Sequence, residues 1–128
     1  MHAKILIVED NPDTRLALTV RLQNSGFAVL QAHNIATATS LVFPVSPDLI
    51  VLDLGLPDGD GYTFMQKLKS SSATSSIPVI VLTARDPHEN QECSYEGGAF
   101  DFFQKPVHYK WLLTSIERAL DESMSKNR

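Results

Sequence analysis

Three short runs of Val, Ile and Leu contain no polar residue, and they limit the fold of this chain more than any other feature. The runs are Ile5–Val8, Leu49–Leu52 and Val79–Leu82. A strand with one face in water alternates apolar and polar residues, whereas uninterrupted apolar runs are typical of strands that are buried on both faces. Weaker strands are predicted at Ala28–Gln31 and Phe100–Phe103. We therefore expect five strands in one sheet that is covered on both sides.

Each segment between two predicted strands is long enough for one helix. Asn11 followed by Pro12 predicts the beginning of the first helix, and Gly26 predicts its end. Within this segment the apolar residues alternate as in a strand, although two of them also fit helical spacing; the four are Leu16, Leu18, Val20 and Leu22. The capping residues favour the helix. Strands that alternate with helices predict an α/β fold with a parallel sheet.

The end of the chain carries the clearest helical pattern. An apolar stripe at helical spacing is predicted to pack on the sheet, and it consists of Leu112, Leu113, Ile116, Ala119 and Leu120. The segment 88–96 contains few apolar residues, so a helix there would be weakly packed. The serine-rich stretch 70–76 is predicted to be a loop. We expect one domain over 1–122, followed by a polar tail over 123–128.

Composition excludes several classes of protein. The chain has 11 Lys and Arg against 15 Asp and Glu, a net charge of −4, which gives no reason to expect direct nucleic-acid binding. No apolar stretch is long enough for a membrane span or a signal peptide. Cys93 is the only cysteine, so no intramolecular disulfide can form. We expect a cytoplasmic protein without membrane contact.

Polar side chains follow four of the five predicted strands. Glu9 and Asp10 follow the first strand, Asp53 the third, Thr83 the fourth and Lys105 the fifth. Each residue alone has an ordinary explanation as a helix cap, a turn residue or a surface charge. In an open parallel sheet, however, ligands bind outside the carboxyl ends of the strands. The joint occurrence of these residues at that edge therefore favours a functional site.

The residue types at this edge suit phosphoryl chemistry. Clustered carboxylates bind a hard cation such as Mg²⁺, which also accepts phosphate oxygens. A lysine can neutralise the charge of a phosphoryl group, and a hydroxyl can donate a hydrogen bond to it. One carboxylate could act as a nucleophile and form an aspartyl phosphate.

Four separate motifs, in order, carry a resemblance to a known family. They are Ile5–Asn11, Asp53–Gly61, Leu82–Ala84 and Lys105–Pro106, and together they resemble the response regulator receiver domain. The resemblance covers nearly the whole chain. It implies a flavodoxin-like (βα)5 three-layer sandwich with a five-stranded parallel sheet of order 2-1-3-4-5. It also implies that the chain is a phosphoacceptor in a two-component or phosphorelay signalling system.

The resemblance assigns a role to each residue that matches a motif. Asp53 corresponds to the phosphorylated aspartate, and Glu9 and Asp10 correspond to the acidic pair that binds Mg²⁺ with it. The backbone carbonyl of Gly55 would be a further metal ligand. The longer side chain of Glu9, where many members have Asp, would favour a contact with the metal through water.

The remaining site residues follow the fourth and fifth strands. Thr83 corresponds to the switch hydroxyl, and Lys105 to the lysine that pairs with the phosphoryl group. Pro106 matches a proline whose preceding peptide bond is usually cis in the family. Phe102 corresponds to the switch aromatic; it lacks the hydroxyl of the tyrosine found in many relatives, and it could equally be a core residue. Arg85 could shield the phosphate or be a solvent-facing charge.

The resemblance also implies the partners. The phosphoryl group would come from a sensor histidine kinase or a histidine phosphotransfer protein. Phosphorylation would switch a face for partner binding or homodimerisation, and this face would consist of the helix over 88–96, the fifth strand and the last helix. The chain would assist its own phosphorylation and dephosphorylation without turning over an external substrate, so it would not be an enzyme in the ordinary sense.

Three alternatives remain open at this stage. Phosphatases that form an aspartyl phosphate usually have a second Asp two residues after the nucleophile, where this chain has Gly55. A flavodoxin-like cofactor module would need a glycine-rich loop after the first strand, but the residues there are Glu9-Asp10-Asn11-Pro12. A receiver that signals without phosphate would not need the acidic cluster. All three are therefore less favoured than a phosphorylated receiver.

Overall fold

A five-stranded parallel sheet forms the centre of the fold, which the computed structural model describes for residues 2–84 and 98–126. The strands of the sheet are β1 Lys4–Val8, β2 Ala28–Ala32, β3 Leu49–Leu52, β6 Val79–Thr83 and β7 Asp101–Gln104. Two further strands, β4 Gly55–Leu56 and β5 Gly59–Asp60, pair with each other in a short antiparallel hairpin. The sheet order β2-β1-β3-β6-β7 is the predicted order 2-1-3-4-5, because the hairpin strands lie outside the sheet.

The described residues form four helices that connect or follow these strands: α1 Pro12–Asn24, α2 Ile35–Val45, α3 Gly61–Ser70 and α4 Tyr109–Lys126. The Asn11 side chain caps α1 by accepting hydrogen bonds from the backbone N–H groups of Asp13 and Thr14, as the Asn-Pro signal predicts. The predicted loop of serines follows the end of α3. Helix α4 continues through Lys126, so the predicted boundary between 122 and 123 falls inside it. The helix predicted over 88–96 lies outside the described residues, as does Arg85.

The sheet is buried on both faces, which confirms the predicted three-layer α/β sandwich. Leu6 and Val8 of β1 belong to one core, which is completed by residues of α2 and α3 such as Val42 and Met65. Ile5 and Ile7 of the same strand belong to the opposite core, where they contact apolar residues of α1 and α4: Leu18, Leu22, Leu112, Ile116 and Ala119. Successive residues of a strand point to opposite faces, so a strand between two layers of helices must be apolar at every position.

Helix α1 explains the alternating apolar pattern of its sequence. Leu18 and Leu22 lie four residues apart on the buried face, whereas Leu16 and Val20 form a second pair at the same spacing that is 59% and 45% exposed. Two pairs at i and i+4, shifted by two positions, give the same alternation as a strand. The exposed pair does not pack in the core of this domain, so its apolar character must have another cause.

None of the helices that the structure describes is long and apolar enough to span a bilayer.

Candidate functional site

The carboxyl ends of the central strands bring the predicted site residues together. Glu9 follows β1 and Asp53 follows β3, and the backbone N–H of Asp53 donates to the carbonyl of Val8, 3.0 Å away. Thr83 ends β6, and its carbonyl accepts a hydrogen bond from the backbone N–H of Lys105, 2.7 Å away. The hydrogen-bonded ladder thus continues one residue beyond the strands. These backbone hydrogen bonds fix the main chain of the site without any contribution from side chains.

Three carboxylates form an acidic cluster at this edge. Glu9, Asp10 and Asp53 each have an oxygen within 4.8 Å of the other two. Glu9 and Asp53 are buried, whereas Asp10 is exposed, so the cluster opens to solvent on one side. Hard oxygen donors with an open side fit Mg²⁺, which retains several of its waters when it binds a protein. The donor set is therefore compatible with the predicted metal.

Lys105 joins two of these carboxylates. Its Nζ donates to Glu9 Oε1 and to Asp53 Oδ2, the second at 3.1 Å. Burial would lower the pKa of Lys105, but the two carboxylates outweigh it and raise the pKa above its usual value. Lys105 therefore stays charged and balances part of the negative charge of the cluster.

The two buried carboxyl groups respond to this environment in opposite directions. Burial would raise the pKa of Asp53, but the backbone N–H of Gly55, the charge of Lys105 and the Thr83 side chain together lower it below 3.8. Burial also raises the pKa of Glu9, and proximity to Asp53 adds to this effect, so that Lys105 offsets only part of it. Of these two buried carboxyl groups, Asp53 is consequently the one that remains ionised more easily, which is the state required of a nucleophile.

Of the other predicted site residues, Gly55 and Thr83 interact with Asp53, whereas Phe102 and Pro106 lie on or just after β7. The backbone N–H of Gly55 donates to Asp53 Oδ1 at 3.1 Å. Thr83 is 1% exposed, and its side chain helps to lower the pKa of Asp53. Phe102 on β7 is partly buried and packs against the core on the α2 and α3 side. The peptide bond between Lys105 and Pro106 is cis.

Two residues support the acidic pair in roles that the sequence does not indicate. The Arg15 guanidinium donates to the carbonyl of Glu9 at 2.8 Å and to that of Asp10 at 3.4 Å. The backbone N–H of Asn11 approaches Glu9 Oε2 at 3.5 Å. Arg15 lies on the first turns of α1, so one helix both begins beside the acidic pair and holds its backbone. A single sequence contains no pattern that distinguishes such an arginine from a surface charge.

A third missed residue connects the site loop to α2. The carboxylate of Asp58 accepts hydrogen bonds from the backbone N–H groups of Ile35 at 2.8 Å and Ala36 at 3.0 Å. These bonds, the one from Ile35 first, lower the pKa of Asp58 below 3.8. The sequence indicates a turn at Asp58, and Asp58 does lie in the turn of the β4–β5 hairpin. What the sequence does not indicate is that its carboxylate is directed at the beginning of α2.

Position 61 requires glycine, because the neighbouring backbone leaves no room for a side chain. A Cβ atom at this position would be 2.5 Å from the carbonyl oxygen of Asp53 and 2.8 Å from the Cα atom of Leu54. Both are backbone atoms, so relief would require movement of the segment that carries Asp53. The N–H of Gly61 also donates to the Leu54 carbonyl at 2.9 Å, which closes the site loop at its base.

We expect Gly61→Ala to destabilise the fold by about 1–3 kcal/mol, because the methyl group overpacks a rigid backbone. Urea unfolding measures this change, and Mg²⁺ titration shows whether Asp53 has moved. Gly26→Ala is the matched control, since its Cβ would meet nothing within 4 Å although its φ of +96° disfavours alanine. The control should lose stability without weaker Mg²⁺ binding. An equal Mg²⁺ affinity in both variants would show that Gly61 does not position Asp53.

Comparisons with known proteins agree with this geometry. The family profile for the response regulator receiver domain matches residues 5–117. Protein PilH of Pseudomonas aeruginosa is 34% identical over 118 residues, which cover 92% of this chain and 98% of that protein. The phosphate regulon transcriptional regulatory protein PhoB of Escherichia coli is 37% identical over 120 residues, 94% of this chain. This chain spans about half of PhoB, since the match covers 52% of that protein.

A solved structure extends the similarity to three dimensions. The response regulator receiver domain protein (CheY-like) from Methanospirillum hungatei JF-1 superposes with a TM-score of 0.88 and is 27% identical. The superposition covers 98% of this chain and 99% of that one. The likeness therefore includes every element of the sheet and all four described helices.

Proposed function

Because the chain belongs to the response regulator receiver domain family, we propose that Asp53 accepts a phosphoryl group in the presence of Mg²⁺. The observation that carries this proposal is the Asp53 carboxylate, which accepts a hydrogen bond from Lys105 and has an oxygen within 4.8 Å of two further carboxylates at one edge of the sheet. The donor would be the phosphohistidine of a sensor histidine kinase or of a histidine phosphotransfer protein. A cytoplasmic location follows from such a donor.

Asp53 would act as the nucleophile. One oxygen of its carboxylate forms a bond to phosphorus while the bond between phosphorus and the donor imidazole nitrogen breaks, and the electron pair of that bond returns to the imidazole. The lowered pKa of Asp53 keeps the carboxylate ionised, so no general base is needed to prepare it. Gly55 holds Oδ1 through its N–H and thereby fixes the orientation of the carboxylate.

Lys105 would pair with negatively charged oxygens both before and after the transfer. Before transfer, its Nζ balances Glu9 and Asp53; after transfer, it can donate to an oxygen of the new phosphoryl group from the same position. Glu9, Asp10, Asp53 and the carbonyl of Gly55 would hold Mg²⁺. When bound, Mg²⁺ supplies neutralisation of the negative charge on the phosphoryl oxygens.

Thr83 and Phe102 would transmit the change. The Thr83 hydroxyl already interacts with Asp53, so a larger and more negative group on Asp53 provides a new acceptor for it. Phe102 lies next to Val81 across the β6–β7 pairing, on the strand beside the one that carries Thr83. A displacement of Thr83 would therefore change the packing of Phe102 and the face that includes β7 and α4, for partner binding or homodimerisation.

The function is tested by treating the protein with a low-molecular-weight acyl phosphate, with Mg²⁺ and with EDTA in place of Mg²⁺. Intact mass should show one phosphoryl group per chain with Mg²⁺, and peptide mapping after borohydride reduction should locate it on Asp53. Little or no modification is expected with EDTA. If the protein binds Mg²⁺ but acquires no phosphoryl group from any donor, the chain is a binding module that signals without phosphate.

The exposed apolar pair of α1 supports a protein donor. Leu16 and Val20 lie on the helix that begins directly after the acidic pair, so a protein that presents a phosphohistidine to Asp53 could bury them. Leu16→Glu should slow transfer from a phosphorylated histidine phosphotransfer protein by about tenfold, the loss typical of a moderate interface hot spot. Phosphorylation by the acyl phosphate should stay unchanged.

Phe43→Glu is the matched control for this prediction. Phe43 is 54% exposed near the end of α2, and the nearby Val45 contacts Lys4 at the opposite edge of the sheet from Asp53. The same change from an apolar to an acidic residue should have little effect there. Equal slowing by both variants would indicate a general effect of charge and not a binding surface on α1.

A further inference from the structure

The loop that follows Asp53 is a closed unit that is anchored to another part of the molecule. Gly55 pairs with Asp60 and Leu56 pairs with Gly59, which folds the loop on itself. Its base is closed by the hydrogen bond from Gly61 to Leu54. A short two-stranded hairpin of this kind is only marginally stable by itself, so its stability depends on contacts beyond its own strands. The position of Gly55 thus depends on what holds the hairpin.

Helix α2 holds it through two kinds of contact. The Asp58 carboxylate accepts the N–H groups of Ile35 and Ala36, residues 23 and 22 positions away in sequence. The Ile35 side chain lies close to Gly59, where an added Cβ would be 2.9 Å from Ile35 Cδ1. One residue at the beginning of α2 therefore contacts the hairpin through both its backbone and its side chain.

Capping of α2 alone does not account for Asp58. Asn34 is the N-cap residue, and its side chain accepts the N–H of Thr37 at 2.8 Å. The N–H groups of Ile35 and Ala36 belong to the first turn of a helix that begins beside exposed residues, where water can satisfy them without a protein partner. What Asp58 adds is a connection between the beginning of α2 and a loop that follows the proposed phosphorylation site.

We propose that Asp58 is a positioning residue that fixes Gly55, and with it the metal-binding edge of the site, by anchoring the hairpin to the N-terminus of α2. This inference rests on the proposed function, since it concerns binding of Mg²⁺ at that site. Asp58 acts from outside the acidic cluster. It limits the swing of the hairpin about its base, and the backbone of Gly55 moves with the hairpin.

The test compares Asp58→Ala with Asn34→Ala in the full chain. Both variants remove hydrogen bonds to the first turn of α2, but only Asp58→Ala releases the hairpin. Mg²⁺ affinity is measured by isothermal titration calorimetry with MgCl₂ in high salt, which screens the lost charge of the exposed Asp58. Loss of a residue that orients a ligand from outside the metal's own shell costs about 10- to 100-fold in affinity. Asp58 acts on the proposed ligand Gly55 only through the hairpin, so the effect should be smaller. We expect Asp58→Ala to bind Mg²⁺ about three- to tenfold more weakly and Asn34→Ala to bind it with unchanged affinity.

Amide hydrogen exchange without metal provides an independent measurement. Exchange at Gly55 should accelerate in Asp58→Ala and stay at the wild-type rate in Asn34→Ala, and Asp58→Asn, which keeps one acceptor oxygen, should be intermediate. Wild-type Mg²⁺ affinity and wild-type exchange at Gly55 in Asp58→Ala would overturn the inference while leaving the proposed function intact. Absence of Mg²⁺ binding by the wild-type chain would overturn the proposed function, and the inference with it.

Discussion

Replacement of Asp53 by asparagine will abolish phosphorylation by either donor. The amide oxygen of asparagine is uncharged and cannot form the bond to phosphorus, and loss of the nucleophile lowers the rate of covalent catalysis by a factor of about a million. The shape of the site should survive, because the amide oxygen of the introduced asparagine can still accept the N–H of Gly55 that Asp53 Oδ1 accepts now. The variant should therefore lose the phosphorylation reaction but keep its fold.

The measurement is intact mass after reaction with the acyl phosphate and Mg²⁺, with circular dichroism to confirm the fold. Asp48→Asn is the matched control, since the Asp48 carboxylate accepts the backbone N–H of Lys4 at the other edge of the sheet. The control should take up one phosphoryl group as the wild type does. A phosphoryl group on folded Asp53→Asn protein would assign the acceptor to another residue.

The expected rate also has a defined dependence on pH. The N–H of Gly55 and the charge of Lys105 outweigh the effect of burial and lower the pKa of Asp53, so the nucleophile stays ionised to a lower pH than a solvent-exposed aspartate would. The pKa of Glu9 is raised from 4.5, so Glu9 gains a proton first as the pH falls, and the Mg²⁺ site weakens before the nucleophile is lost. Protons and Mg²⁺ would thus compete for Glu9. A higher Mg²⁺ concentration should therefore shift the fall in the rate of phosphorylation by the acyl phosphate to lower pH.

The elements of this fold could be predicted because their causes are local. The buried strands appear in the sequence as apolar runs, and the Asn11-Pro12 pair begins α1 where the structure has it. The same holds for the placement of Glu9, Asp53, Thr83 and Lys105 at one edge. That placement follows from strand direction alone, since the carboxyl ends of parallel strands all lie at the same edge.

What could not be predicted depends on contacts between distant parts of the chain. Asp58 has the sequence context of a turn residue, and its partners at Ile35 and Ala36 are specified only by the packing of α2 against the hairpin. Gly61 follows Asp60 in a glycine-rich turn, and its close approach to the Asp53 backbone becomes visible only in three dimensions. Arg15 is similar, because its carbonyl partners have no sequence signature.

Replacement of Lys105 by methionine should have two opposite effects, on stability and on metal binding. Without metal, Glu9 and Asp53 lose the cation that joins them. Removal of one partner from a fully buried ion pair costs about 3–5 kcal/mol. Because the Lys105 side chain is 23% exposed, we expect a smaller loss of about 1–3 kcal/mol.

Mg²⁺ should offset part of this loss. Lys105 and a divalent cation would bind the same carboxylates, and two positive charges at short range repel each other. Lys105→Met should therefore bind Mg²⁺ about tenfold more tightly than the wild type, equivalent to about 1.4 kcal/mol. Saturating Mg²⁺ should accordingly raise the melting temperature more in the variant than in the wild type, by about 3–5 °C for each additional kcal/mol. Phosphorylation should still be slower, because the new phosphoryl group lacks the Nζ donor.

Lys4→Met separates this effect from a change in net charge. Lys4 lies at the beginning of β1, where its Nζ contacts the carbonyl of Val45 at 3.4 Å, and it is at the opposite edge of the sheet from the acidic cluster. Its loss changes the net charge by the same amount, so its Mg²⁺ affinity should stay close to that of the wild type. If the two variants respond equally to Mg²⁺, Lys105 does not compete with the metal. A larger response in Lys105→Met alone would mean that the lysine substitutes for the cation when no metal is bound, which explains how two buried carboxylates persist side by side in the metal-free fold.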